Sequence, residues 1–385
     1  MEELSARYRS LVEANRALYN EVQDLKGSIR VFCRIRPPGA TGDSSSSCVD
    51  VSEDEDVVAV YNPTKDEHKE FRVNRVFDAA ASQDAVYEDT QPLVRSVLDG
   101  FNVCIFAYGQ TGSGKTHTMS GTNTRDPAGR GINFRALDDL FANRDTRRGE
   151  VDYRITVQML EIYNETLRDL LGDGAGGHAA GQRLDILSTQ ASGCNVPGAT
   201  QVEVGDSCDV VALMSRGAAN RATCETRMND RSSRSHQILT VIVDGFSHVT
   251  GARSHGCLHL IDLAGSERVS KSEASGDRLI EAQHINRSLS ALGDVIAALA
   301  SRSSHVPFRN SKLTQLLQDS LCGQAKVMMF MHISPESSMH GESVSTLNFA
   351  KRVSEVTLGQ AKRNVESGKV FRANEAAAAA RAAAD

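Results

Sequence analysis

Eight consecutive residues have the types and spacing to hold a phosphate chain. Gly109, Gln110, Thr111, Gly112, Ser113, Gly114, Lys115 and Thr116 satisfy G-x-x-x-x-G-K-[ST] at every fixed position, and an apolar run at 103–108 leads into them as a buried strand would. Glycines let successive backbone N–H groups converge on phosphate oxygens with no Cβ in the way. The helix expected after the loop would aim its positive end at the same phosphates. Lys115 can reach the β- and γ-phosphates, and the Thr116 hydroxyl can ligate Mg²⁺. An ordinary Gly/Ser loop is the bland alternative, and the full motif behind a strand outweighs it. The stretch reads as a nucleoside triphosphate site.

Two further clusters fit the same chemistry. Asp262-Leu263-Ala264-Gly265-Ser266-Glu267 closes an apolar strand expected at 256–263. An aspartate at such a strand end is where P-loop enzymes hold Mg²⁺, usually through water, and Gly265 would let a backbone N–H sense the γ-phosphate. Asn229, Asp230, Arg231, Ser232, Ser233, Arg234, Ser235 and His236 crowd hydroxyl, amide and guanidinium donors into a loop ahead of a strand at 237–247. A serine there can complete Mg²⁺ coordination, and Arg234 is the obvious partner for Glu267 across the γ-phosphate. Such a pair would close around the triphosphate and hold the attacking water. Alone, D-x-x-G is common and a Ser/Arg loop reads as a surface phosphorylation site. Beside the glycine-rich loop, both become parts of one pocket.

The elements that must position these groups alternate along the chain. Strands are expected at 29–35, 57–61, 69–76, 103–108, 151–163, 237–247, 256–263 and 326–333, and helices at 82–98, 164–171, 210–220, 281–300 and 312–321. That order argues for a three-layer α/β domain of the P-loop NTPase type, its mostly parallel or mixed central sheet flanked by helices. Residues 172–181, GDGAGGHAAG, read as a surface insertion with nothing to pack.

Composition excludes several other classes. The chain has 385 residues, 40% hydrophobic and 24% charged, as in a soluble globular protein. No apolar run approaches the roughly 18 residues that would suggest membrane insertion, and the polar N-terminus is no signal peptide. Eight scattered cysteines without a C-x-x-C pair suit a reducing cytoplasm. A net charge of −6 argues against nucleic acid as a partner.

At the N-terminus Leu4, Leu11, Leu18 and Leu25 fall seven apart, with Tyr8, Asn15 and Val22 between them. Leucine at d with valine and a lone asparagine at a is the pattern of a parallel two-stranded coil. A helix lying on its own domain could use the same stripe; the end of a longer coil, giving a homodimer, is the favoured reading. The domains expected are a neck helix at 1–27, a globular domain at 28–357, and a helical or disordered tail at 358–385.

Taken together, Arg34-Ile35-Arg36-Pro37, the glycine-rich loop, Asn229–His236 and Asp262–Glu267 closely resemble the kinesin motor domain, whose R-x-R-P, G-Q-T-x-x-G-K-T, N-x-x-S-S-R-S-H and D-L-A-G-S-E patterns stand intact and in order. The resemblance covers about residues 28–357, and a coil before the motor is similar to the C-terminal-motor, minus-end-directed subfamily. It implies an ATP-dependent, microtubule-stimulated ATPase that couples hydrolysis to filament binding and force, in the cytoplasm on the cytoskeleton. A non-motile or depolymerising kinesin-like protein is the alternative. It further implies that Arg34, Arg36, Pro37 and His117 lie at the adenine side, that Thr116, Ser233 and Asp262 hold Mg²⁺, and that Glu267 and Arg234, with Asn229, Ser232 and Gly265, form the catalytic gate. The microtubule face would run from Arg268 to Lys326 and include Arg268, Lys271, Arg278, Arg287, Arg309 and Lys312. Eight basic residues there oppose five acidic ones. Gln283, Gln315 and Ile280 are uncharged where many kinesins carry a basic residue, and Ser28 replaces the asparagine that often follows the junction glycine.

Overall fold

The computed structural model describes residues 7, 11, 14, 15, 18, 20–22, 29–38, 47–62, 64–122, 126–172, 184–187, 196–223, 233–267 and 277–367, with side chains of 223 and 277–282 excepted. In chain order the strands and helices are β1 (Ile29–Ile35), β2 (Val49–Val51), β3 (Val57–Asn62), β4 (Glu67–Arg72), β5 (Arg75–Phe77), α1 (Gln83–Ser96), β6 (Asn102–Gly109), α2 (Lys115–Met119), α3 (Ile132–Thr146), β7 (Val151–Tyr163), β8 (Thr166–Asp169), β9 (Val202–Glu203), α4 (Ser207–Thr223), β10 (His236–Ser247), β11 (Arg253–Asp262), α5 (Asp277–Ala300), α6 (Lys312–Asp319), β12 (Ala325–Ile333), α7 (His340–Ser354) and β13 (Val365–Glu366).

The main sheet runs β5-β1-β12-β6-β11-β10-β7-β8, parallel from β5 through β11 and antiparallel beyond. All nine residues of β12 are buried, as expected of a central parallel strand covered on both faces. Alternate residues of β6 divide between two cores. Cys104 and Phe106 join Leu292, Val295, Leu317, Leu347 and Val353 under α5, α6 and α7. Val103 and Ile105 join Val86, Leu93, Leu137, Leu140 and Met214 under α1, α3 and α4. This is the three-layer arrangement expected. A separate antiparallel sheet, β2-β3-β4, stands beside it.

Three expectations are corrected. Residues 164–171 were expected as a helix, but Asn164 and Glu165 take φ of 48° and 57° and turn β8 back onto β7, with Tyr163 opposite Thr166. Two successive residues at positive φ make a tight hairpin turn, so the short run pairs instead of coiling. The single strand expected at 69–76 is two. Asn74 carries the chain from the small sheet to the large one, its side-chain oxygen accepting from Val31 N–H at 2.7 Å and its own N–H donating to Val31 O at 2.9 Å. The tail, expected to be helical or disordered, is extended at the end of its described part, where Val365–Glu366 pairs with β11 and Asn364 N–H donates to Gly100 O at 2.8 Å. An edge of unpaired backbone groups at the start of β11 outcompetes local propensity there. The insertion at 172–181 lies almost wholly outside the described residues. Among them, no helix is long and apolar enough to cross a membrane.

Candidate nucleotide site and neck seat

The glycine-rich loop leaves β6 where the sheet forbids a side chain. A Cβ on Gly109 would stand 2.4 Å from the His332 carbonyl oxygen, so the loop passes under the end of β12 only as glycine. Gly112 and Gly114 take φ of 74° and 104°, in the region that glycine alone adopts freely. The helix that follows, α2, has only five residues. Its dipole is correspondingly short, and the loop amides and Lys115 carry more of the anion binding than the sequence suggested.

Lys115 is 6% exposed and donates from Nζ to the carbonyls of Gly109 and Gln110, both at 2.9 Å. Burial lowers its pKa, against the pull of Asp262 and Glu267. Thr116 Oγ1 donates to Asp262 Oδ2 at 2.6 Å. The other carboxylate oxygen, Oδ1, is buried without a hydrogen-bond partner, and burial raises the Asp262 pKa despite Lys115, Thr116 and Arg221. A buried carboxylate oxygen of this kind beside a hydroxyl fits a hard divalent cation or its water shell. Thr116 and Asp262 are therefore a suitable donor set for Mg²⁺.

The described parts of both neighbouring loops, the one ahead of β10 and the one after β11, are tied to this centre. Gly265 N–H donates to Ser233 O at 2.8 Å, Ser266 N–H to Gly109 O at 3.1 Å, and Ala264 N–H to His236 Nδ1 at 3.0 Å. The Glu267 carboxylate accepts from Thr111 N–H at 2.8 Å and from Thr111 Oγ1 at 2.6 Å, so this residue, expected at the gate, rests on the glycine-rich loop itself. A Cβ on Gly265 would meet Thr111 Oγ1 at 2.3 Å and Glu267 Oε2 at 2.4 Å. Arg234 sits beside Ser233, half-buried. Asn229 and Ser232 lie outside the described residues.

A cavity of about 280 Å³ opens beside the loop between Arg34, Pro37, Ala79, Gly114, His117 and His332. Arg36 closes one side, donating from Nη1 to Gly112 O at 3.0 Å and pairing with Glu336. Arg34 is buried, and burial brings its pKa down to about 10. Its guanidinium donates to Gln83 Oε1 and Thr118 Oγ1, each at 2.9 Å, and to Ala81 O at 3.1 Å. Gln83 in turn donates to His117 O at 2.6 Å. Sequence reasoning missed Gln83, Thr118 and His332. Thr118 carried a signal in following Thr116 on one short helix, whereas Gln83 and His332 belong to distant segments.

At the opposite end of the sheet the N-terminal helix is seated through Asn20, which is 8% exposed. Asn20 Oδ1 accepts from Lys326 Nζ at 2.9 Å and from Ser96 Oγ at 3.0 Å, while Nδ2 donates to Asp99 Oδ2 at 3.3 Å. Lys326 also lies 4.2 Å from the Phe101 ring centroid and is buried. It therefore leaves the filament face to which its position in the chain had assigned it, because β12 turns it inward. Leu11 and Leu18 are 63% and 62% exposed. The described leucines of the heptad thus point away from the globular domain, and Asn20, on the opposite face, points toward it. Leu4, Tyr8 and Leu25 lie outside the described residues.

Of the expected filament residues, Arg287 and Arg309 are exposed. Lys312 caps a different contact: its ammonium pairs with Asp185 at 2.9 Å and its N–H donates to Glu165 Oε2 at 2.8 Å. Arg268 and Lys271 lie outside the described residues, as does the side chain of Arg278.

A mixed sheet with a glycine-rich loop at its central strand, a strand-end aspartate and two loops meeting them defines a P-loop nucleotide-binding domain. The kinesin motor domain model matches residues 34–356, and the chain belongs to the kinesin family. It is 58% identical over 369 residues to Kinesin-like protein KIN-14F of Oryza sativa subsp. japonica, covering 94% of this chain and 36% of that one. Its identity to Kinesin-like protein KIN-14F of Arabidopsis thaliana is 56% over 375 residues, 96% of this chain and 34% of the relative. The chain spans about a third of the length of these curated relatives. Among solved structures it resembles the C-terminal motor and motor homology domain of Kar3Vik1 fused to a synthetic heterodimeric coiled coil, with TM-score 0.82, 39% identity and 92% of each chain covered.

Proposed function

We propose that this chain is the ATP-driven, microtubule-stimulated motor of a minus-end-directed kinesin, working as a homodimer joined through the N-terminal helix. The observation that carries the reading is the junction of the three loops. Glu267 rests on Thr111 and Gly265 on Ser233, and the same segment continues toward α5, which carries Arg287. A change at the γ-phosphate side of the pocket is thereby passed to the face proposed for tubulin. Thr116, Ser233 and Asp262 would hold Mg²⁺, which would supply positive charge to the phosphate chain. Lys115 and the loop amides orient the phosphates. Arg234 and Glu267 close over them and position the lytic water, so catalysis is positioning and charge stabilisation rather than strong-base chemistry.

The KIN-14 relatives and the Kar3-type neighbour support the minus-end assignment, and the outward-facing Leu11 and Leu18 support the dimer. Cytoskeletal localisation follows from the filament partner. The test is steady-state ATPase with and without polymerised tubulin. Stimulation that vanishes in Lys115→Ala is expected; nucleotide turnover indifferent to microtubules would overturn the reading.

A further inference from the structure

His332 touches both ends of the phosphate-binding loop, and in the pocket described above it only lines the cavity. It lies near the end of β12, directly beside Arg34 of β1 on one side and Gly109 of β6 on the other. Its main-chain carbonyl is the atom that a Cβ on Gly109 would strike, so it defines where the loop leaves the sheet. Its ring reaches past the loop's far end, with Nε2 2.7 Å from Thr118 Oγ1. Thr118 is fully buried, and His332 is 1% exposed.

Thr118 Oγ1 accepts a hydrogen from Arg34 Nη1 at 2.9 Å and shares a second hydrogen bond with the ring, whose donor is set by the imidazole tautomer. A neutral imidazole accepts at one nitrogen. Burial, with Arg34 and Lys115 nearby, holds His332 neutral down to about pH 3. The three groups form a hydrogen-bonded chain of guanidinium, hydroxyl and imidazole, joining β1, α2 and β12. None of the three can turn to water, because all are buried.

We infer that His332 is a positioning residue for the nucleotide, gripping the exit and the return of the phosphate-binding loop together so that the loop is held at the span a triphosphate needs. It acts through Gly109 and Thr118 rather than on the reacting atoms. The part of the nucleotide it governs is the phosphate chain, which every nucleoside di- or triphosphate shares. Its loss therefore weakens ground-state and transition-state binding alike. Uniform weakening raises KM and leaves kcat. The inference rests on the reading of this pocket as a nucleotide site.

The experiment compares wild type, His332→Leu, His332→Gln, Thr118→Val and the His332→Leu/Thr118→Val double variant. Fluorescent ADP titration gives Kd, and microtubule-stimulated ATPase gives KM and kcat. Leaving the Thr118 hydroxyl without its ring partner predicts about a tenfold rise in Kd and KM in His332→Leu, with kcat within about threefold of wild type. Glutamine offers an amide oxygen at similar reach and should return both constants to within about threefold. Thr118→Val removes the contacts to both Arg34 and His332 and should weaken binding at least as much as His332→Leu, and the double variant should be no worse than Thr118→Val alone. Thr118→Val also stands as the informative variant should a leucine at 332 impair folding. Unchanged Kd in folded variants, additive losses, or a kcat loss at constant KM would overturn the inference. Failure of wild type itself to bind ADP would instead overturn the nucleotide-site reading on which it rests.

Discussion

Acidification should unfold this protein steeply, through three histidines that the fold keeps neutral. His236 and His332 are brought to about 3 and His259 to about 4, each chiefly by burial. In the unfolded chain all three return to about 6.5. The unfolded state therefore binds more protons between those limits. The stabilisation is fully present above about pH 6.5 and is lost as pH falls toward 4 for His259 and toward 3 for His236 and His332. Each site contributes a slope of about 1.4 kcal/mol per pH unit, so three give about 4 once all are titrating. From pH 7 to pH 5 the summed loss is about 6 kcal/mol, comparable with the whole stability of a typical domain at about 5–15. Asp262 and Asp319 work the other way, since burial raises the pKa of each, but they are two groups against three. Urea unfolding followed by circular dichroism at pH 7, 6 and 5 measures the slope. His259 is the cleanest probe, because its partners Thr240 and Cys257 lie away from the pocket. His259→Gln should reduce the slope to about 3 kcal/mol per unit. A total loss below about 2 kcal/mol by pH 5, or a variant slope equal to wild type, would refute the argument.

Three further outcomes are expected. Glu267→Ala, which frees Thr111 and removes the gate, should still bind ATP but lose turnover by about a hundredfold or more, measured as microtubule-stimulated ATPase; activity within about threefold of wild type would remove Glu267 from the gate. Lys326→Ala leaves the Asn20 amide and the Phe101 ring without their cation, so the N-terminal helix should become more susceptible to limited proteolysis while ATP affinity holds; an unchanged digestion pattern would show that Asn20 does not seat the neck. Arg287→Ala with Arg309→Ala should weaken microtubule binding and flatten its salt dependence in cosedimentation. A pair variant with wild-type affinity at low salt would place the filament face elsewhere.

Much of this architecture was legible because each local signal agreed with the global one. Residues 29–35 and 151–163 became strands over the bounds that their apolar pattern suggested. Helix α3 went unread because its apolar residues, Ile132, Phe134, Ala136, Leu137, Leu140 and Phe141, cover a wide face rather than a narrow stripe. Helix α7 went unread because Gly341 and several β-branched residues lower its propensity, and burial of Leu347, Phe349 and Val353 compensates. In the pocket, Lys115, Thr116 and Asp262 stood in contiguous motifs. His332 did not: its meaning lies in β12 running between β1 and β6, a pairing of segments some 300 residues apart in number. Asn20 belongs to neither the a nor the d positions of the heptad, and its part shows only once Lys326 is placed beneath it. Charge counted along the chain likewise put Lys326 on a filament face, though the strand buries it.

The central claim is that the pocket drives directed movement along a microtubule, and gliding of polarity-marked microtubules over surface-bound protein tests it most directly. Minus-end-directed stepping predicts ATP-dependent gliding with plus ends leading, abolished by Lys115→Ala. Gliding with minus ends leading would contradict the directionality, and filaments that bind but only shorten or stay still in ATP would contradict the motor.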